Sequence, residues 1–167
     1  MSVGLLPRAF AAFLILPGTV AFLVPWLLRP PGSPFRAEGV VLLAPGLALL
    51  LACVAEFYRA AGTLAPWSPP ERLVTTGPYR ASRNPMYVAV LLVIGGWALA
   101  WRTTPIGVYA LVVAIAFHVR VVAFEEPFQA RTWGGEWSAY RASVPRWIGR
   151  VRPATTTPSS RPTPPPA

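Results

Sequence analysis

The sequence predicts an all-α, polytopic membrane bundle of about four transmembrane helices. Two observations carry this. Hydrophobic residues make up 54% of the 167-residue chain and charged ones only 13%, too little charge for the surface of a soluble domain of this size. The apolar residues are also gathered into long runs, not spread at a helical or strand period, and runs near 17–25 residues are what about 30 Å of hydrocarbon demands of a helix.

Four runs stand out: 9–28, 39–55, 85–101 and 105–124. The second and third are at the short end of the spanning range. Pro17-Gly18 and Pro45-Gly46 interrupt the first two, and such breakers predict kinks that neighbouring helices must satisfy. The first run is too long for a signal peptide core, and Leu27-Leu28-Arg29-Pro30 offers no small-residue cleavage site.

The net charge of +9 comes entirely from arginine, since the sequence holds neither Lys nor Asp. Charge of this size can signal nucleic acid, but no zinc, helix-turn-helix or RNA-binding pattern accompanies it. The arginines lie between and after the apolar runs, as in membrane loops. With four spans, one side receives Arg8, the loop arginines 59, 72, 80 and 83, and the tail arginines 131, 141, 146, 150, 152 and 161. The other receives Arg29, Arg36 and Arg102. The positive-inside rule makes the first side, with both termini, cytoplasmic. Trp26 and Trp101 fall at span ends, where amphipathic rings settle. Cys53 is the single cysteine, so no intrachain disulfide can form. From about residue 153 the chain is Pro, Thr and Ser with one Arg, a composition that predicts a disordered tail over 153–167 beside a single domain over 1–152.

Three segments on the predicted cytoplasmic side carry chemistry. The loop over 62–79 is too proline-rich for a helix and too long for a connector, and its Trp, Leu, Val and Tyr favour an ordered lid. Next, Asn84 suits an N-cap and Pro85 the first helical position. The third apolar helix then starts beside Arg83, either as a site for an anion such as a carboxylate or as an ordinary helix start. Third, Glu125 and Glu126 adjoin the fourth run. Paired carboxylates at a membrane boundary mark a site by default, and at a helix C-terminus they call for a cation: Arg120, a tail arginine, or a ligand's amino group. Plain interfacial anchoring is the alternative. His118, two turns before Glu125, could relay a proton, though a packed, hydrogen-bonded bundle residue is the favoured reading. Glu56 and Arg59 are spaced as a helical ion pair. No Cys/His cluster, phosphate loop or nucleophile–base pair is present.

Taken in order, Gly77-Pro78-Tyr79-Arg80, Arg83-Asn84-Pro85-Met86-Tyr87, a hydrophobic hairpin, Glu125-Glu126, Trp133-Gly134-Gly135-Glu136-Trp137-Ser138-Ala139-Tyr140 and Val144-Pro145-Arg146 resemble the C-terminal half of isoprenylcysteine carboxyl methyltransferases. Phospholipid methyltransferases share that half. The likeness covers about 62–150. Asn84 stands where the family has His, Ala89 where it has Gly, and Trp133 and Trp137 where it has Phe and Tyr.

The resemblance implies a methyltransferase that binds S-adenosylmethionine in a cytoplasmic C-terminal segment, with no metal, and a lipophilic small-molecule or lipid acceptor entering from the bilayer. The carboxylate of an isoprenylcysteine-like molecule is one candidate, and a phospholipid amine or a small thiol are alternatives. It further implies that Tyr79, Arg83, Asn84, Pro85, Tyr87, His118, Glu125, Glu126, Trp133 and Tyr140 hold the cofactor, and that Arg83, Glu125, Glu126 and Arg146 serve the reaction. Methyl transfer from a sulfonium needs alignment and exclusion of water, and the scarcity of bases favours an acceptor that is already anionic. A non-catalytic membrane scaffold is the reading from another class, and a membrane reductase a remoter one.

Overall fold

The computed structural model describes residues 14–59 and 73–149, leaving aside the side chains of 14–16 and 58. Every element among them is helical. The first helix, α1, runs as wide π-type turns over Leu14–Leu23 and tightens to an α-turn over Val24–Leu27. A 3-10 turn, Ala37–Gly39, leads into α2, Val40–Arg59. Another, Gly77–Arg80, precedes α3, Pro85–Trp101. The two residues Arg102 and Thr103 then reverse the chain into α4, Thr104–Arg120. A π-turn, Val121–Glu125, carries α4 on into α5, Glu126–Ser143.

Two helices, Ala37–Phe57 and Thr104–Ser143, are long and apolar enough to cross a membrane, while Pro17–Leu27 and Pro85–Trp101 are apolar but shorter. Val41, Leu51, Leu111, Val112 and Ile115 are each more than half exposed. Exposed apolar side chains in such numbers suit a surface that meets lipid.

The third run matches its helix end for end. The second runs on to Arg59, past the expected stop at 55. The fourth departs most: no helix terminus follows residue 124, because the backbone widens by one π-turn and resumes. Glu125 and Glu126 are therefore not at a helix C-terminus, and the dipole argument for a compensating cation does not apply. The kink expected at Pro45 is absent as a break, since α2 continues through it. At Pro17 the disturbance takes the form of π-turns. Pro25, which has no N–H, leaves the carbonyls four and five residues before it without a helical donor, and these find partners on neighbouring helices: Trp97 Nε1 donates to Ala21 O and Tyr109 Oη to Val20 O, both at 3.0 Å. Those bonds replace what a proline takes from a membrane helix. The predicted tail, and most of the 62–79 loop, lie outside the described residues.

Glycine sets how closely α2 and α3 approach. A Cβ on Gly96 would lie 2.6 Å from Leu43 Cγ and 2.8 Å from Leu43 N, and one on Gly46 would lie 2.9 Å from Leu92 Cβ. Small residues at such crossings let backbones touch where lipid supplies no hydrophobic drive. Around the crossing, Leu50, Ala89, Val90, Val93, Ile94 and Ile106 form the buried core. This fixes α3, and with it the residues that start α3, against α2.

Gly96→Leu should push α2 and α3 apart and destabilise the protein by about 1–3 kcal/mol, the usual cost of overpacking. Gly107→Ala, with nothing within 4 Å of the added methyl, should be neutral or stabilising. Thermal melting of both variants in detergent checks the pair.

Candidate active site

The start of α3 is held from two sides. On one side the turn at 76–80 is fastened to the end of α2. Gly77 sits at φ 57°, a left-handed conformation that suits glycine, and an added Cβ would meet the Glu56 carboxylate at 2.9 Å. Thr76 Oγ1 donates to that carboxylate, and Arg59 forms the ion pair expected from its spacing. Tyr79 is thereby buried, edge-on to Phe57 at 5.8 Å. Its hydroxyl is pushed well above the ordinary phenol value by burial, while its carbonyl accepts a 2.7 Å bond from Tyr140 Oη on α5.

On the other side the segment 82–84 is bound to the chain that follows α5. Arg83 N donates to Pro145 O at 2.9 Å, Asn84 Nδ2 to Arg146 O at 3.0 Å, and Ser82 Oγ to Arg146 O at 3.3 Å. Asn84 occupies the N-cap position with Pro85 first in the helix, as expected, but its side chain makes no capping bond. The amide instead holds the C-terminal segment.

The two adjacent glutamates divide their partners. Glu126 is buried and accepts from Arg146 at both oxygens, Nε to Oε1 at 2.7 Å and Nη2 to Oε2 at 2.9 Å. Arg83 Nη1 adds a third bond, 2.9 Å to Oε1. Burial draws the Arg83 guanidinium below its usual pKa, and Glu126 opposes that pull. The bonds to Glu126 raise that of Arg146. Glu125, about a third exposed, accepts from Arg120 Nε at 2.8 Å and from the hydroxyl of Tyr87 at the same oxygen, Oε1. Arg120 Nε also reaches Tyr87 Oη at 3.1 Å. The expected compensation by Arg120 and a tail arginine is thus present, joined by Arg83.

Between these groups lies a cavity of about 660 Å³. Tyr79, Arg83, Asn84, Tyr87, Glu125, Glu126, Trp133 and Tyr140 all line it. Pro85 is buried behind it, and Arg146 reaches it through Glu126. His118 does not line it: the imidazole is exposed, with Trp147 Nε1 donating to Nδ1 at 3.4 Å. Of the packed, hydrogen-bonded role favoured for it, the structure has the hydrogen bond and a ring contact with Trp147 at 6.2 Å, but not the burial. Val20, Phe57, Leu73, Val74 and Met86 form an apolar wall opposite the charged one, and Leu73 and Val74 are the described part of the long loop that meets the cavity.

Sequence reasoning noted Trp137 as an aromatic swap but gave it no role at the site. It is buried against the cavity, the Arg83 guanidinium carbon lies 5.4 Å from its ring centre, and Trp137 Nε1 and Arg83 Nε both lack a hydrogen-bond partner. Orphaned buried donors cost about 1–3 kcal/mol each, and both of these atoms are covered by their neighbours rather than open to the cavity. The signal that could have found Trp137 is its spacing: Trp133, Trp137 and Tyr140 recur at helical intervals. Gly134, at φ 50° and ψ −116°, bends α5 between the first two.

The phospholipid methyltransferase family model matches residues 35–136, more than half of the chain. The chain belongs to that family. This is a family of membrane methyltransferases, consistent with the isoprenylcysteine carboxyl methyltransferase likeness. No protein of curated function and no solved structure gives a significant match. The matched stretch of this phospholipid methyltransferase family member runs from the approach to α2 through Glu136. Trp137, Tyr140 and Arg146 lie beyond it and α1 before it, so the cavity is completed by residues outside the matched stretch.

Glu126→Ala leaves two guanidiniums uncompensated, one of them 93% buried, and should cost about 3–5 kcal/mol. Glu125→Gln, facing the half-exposed Arg120, should cost under about 1 kcal/mol. Melting temperatures of the two variants measured side by side check the asymmetry, and equal losses would count against it.

Proposed function

We propose that this chain is an S-adenosylmethionine-dependent methyltransferase acting on a lipophilic acceptor at the cytoplasmic membrane face. One observation carries the proposal: a single cavity offers a part-exposed carboxylate, aromatic faces and an apolar wall, and two of its lining residues hold covered donors without a partner. The methyl donor bears an ammonium, a carboxylate, a sulfonium and an adenine, and each finds its counterpart. Glu125 engages only one oxygen among the described residues, leaving the other for an ammonium. Arg83 Nε and Trp137 Nε1, covered by their neighbours, would meet a carboxylate after a turn of either side chain toward the cavity. Trp133, Tyr87 and Phe117 supply rings for an adenine or a sulfonium. When bound, the cofactor would supply an activated methyl group. The chain's own part is to orient that methyl toward the acceptor, exclude water with the aromatic wall, and admit the acceptor past Phe57, Leu73 and Met86.

In this reading residues 1–152 form one domain, 62–150 its cofactor-binding half. The four apolar helices all cross the bilayer, both termini are cytoplasmic, and 153–167 is a disordered tail. Arg83, Glu126 and Arg146 would shape the site, and Glu125 would touch the cofactor. The ion pairs set three guanidiniums against two carboxylates, which favours an anionic acceptor such as the carboxylate of an isoprenylcysteine-like molecule. A phospholipid amine is the second reading. It is favoured by the family match and by the Tyr87–Glu125 pair, a proton acceptor that an ammonium substrate requires and a carboxylate does not.

S-adenosylhomocysteine should bind the detergent-solubilised protein in calorimetry, and Glu125→Gln and Trp137→Phe should each weaken it roughly tenfold. Absence of binding heat would favour the scaffold reading. With a radiolabelled methyl donor and native membranes, label released as methanol by alkali marks a carboxyl ester, and alkali-stable label marks an amine. Reporters fused after Arg36 and at the C-terminus should report opposite sides of the membrane. A same-side result would contradict the four-span orientation.

A further inference from the structure

A second concavity begins at Gly18 and Thr19, flanked in the chain by the Pro17 and Val20 that line this cavity, and runs toward the other end of the bundle. The 17 residues of α3 put Trp101 about 24 Å from Pro85, at 1.5 Å rise per residue. There a groove of about 600 Å³ opens between α1 and α3. Gly18, Thr19, Phe22, Leu23 and Trp26 of α1 line it on one side and Trp97 and Trp101 of α3 on the other. Trp97 and Trp101 stack at 4.7 Å, and Trp26 meets Trp101 edge-on at 6.1 Å. The lining is almost wholly apolar, and the Trp97 Nε1 donor is spent on Ala21 O.

At the rim stands Arg29. Its guanidinium carbon lies 4.0 Å from the ring centre of Trp26 and 5.5 Å from that of Trp101. No carboxylate pairs with it among the described residues, whereas nearby Arg102 is paired with Glu38 at 3.6 Å. A guanidinium laid over a ring engages through its face, which leaves its in-plane N–H groups free to fork an anion. The ring contact also fixes the side chain in advance, lowering the ordering cost of that fork.

We propose that this groove is a phospholipid site: an acyl chain lies between α1 and α3, and Arg29 holds the phosphate. The complementarity selects the occupant, because a pre-set cation directly above an apolar slot fits an amphiphile with an anion at its head. Leu23, Trp26 and Leu27, each at least half exposed, bring the groove into contact with bilayer. The lipid would wedge α1 against α3 where the π-turns of α1 rest on single bonds from Trp97 and Tyr109. The site is independent of the methyl-transfer reading, and α1 lies outside the family match.

Three of the seven tryptophans border the groove, so lipids with brominated tails report occupancy by quenching their fluorescence. The full chain is placed in micelles of unbrominated phosphatidylcholine and titrated with brominated phosphatidylglycerol. Wild type should show a saturable quench, and Arg29→Gln should need roughly tenfold more lipid. Brominated diacylglycerol, lacking phosphate, should quench wild type and Arg29→Gln equally and weakly. Thr19→Phe, which fills the slot and keeps Arg29, should abolish the saturable component. The proposal is overturned if Arg29→Gln matches wild type, if diacylglycerol quenches as well as the phospholipid, or if Thr19→Phe changes nothing. It is also overturned if the quench is replaced by concentration-dependent dimerisation, which would put a second copy in the groove.

Discussion

The carboxylate of Glu126 is the point on which the cytoplasmic end of this bundle turns. It accepts from both Arg146 and Arg83, which lie 63 positions apart and on opposite sides of the hairpin α3–α4. Two cations and one anion taken out of water are costly, and their attraction repays that cost only when geometry is good and the remaining donors find partners. Here three bonds near 2.8 Å supply the geometry, while the Arg83 Nε proton stays unsatisfied. The arrangement is therefore better understood as specifying a conformation than as adding stability. It forces the chain after α5 back over the start of α3, where Asn84 and Ser82 hold the Arg146 carbonyl.

That constraint depends on two features further from the site. Gly46 and Gly96 let α2 and α3 touch along their length, so the start of α3 has a fixed position. The π-turn Val121–Glu125 shifts the register of the long helix between Arg120 and Glu126. π-turns recur at functional positions because they re-aim side chains without ending the helix. In this helix neighbouring glutamates serve different neighbours, Glu125 joined to Tyr87 and Arg120, and Glu126 to Arg83 and Arg146.

Apolar run length was enough to read α2 and α3 from the sequence, because hydropathy depends on composition and not on partners. Pro85 after Asn84 located the start of α3 to the residue. The ion-pair clasp was legible only as a demand: a glutamate pair in an apolar boundary needs cations, but which arginines answer is a matter of tertiary register. Asn84 was read as a cap from its type, whereas its amide is drawn to Arg146 O by a contact 62 positions away that no local pattern encodes. The continuation of α4 into α5 was missed for a related reason. Hydropathy falls after residue 124, and a fall in hydropathy ends a span without ending a helix. Trp137 was legible only as an aromatic swap, because its importance lies in an N–H left unpaired by folding.

The clasp can be tested without assuming any ligand. Ala81 and Ile148, both exposed, flank the contact between the start of α3 and the C-terminal segment. With each changed to Cys and spin-labelled in a Cys53→Ala background, electron double resonance in detergent reads the distance between the two segments. One narrow distance is predicted for the otherwise unchanged chain, spreading into a broad distribution when Glu126→Gln is added. A distribution that Glu126→Gln leaves untouched would contradict the claim that this carboxylate holds the site together.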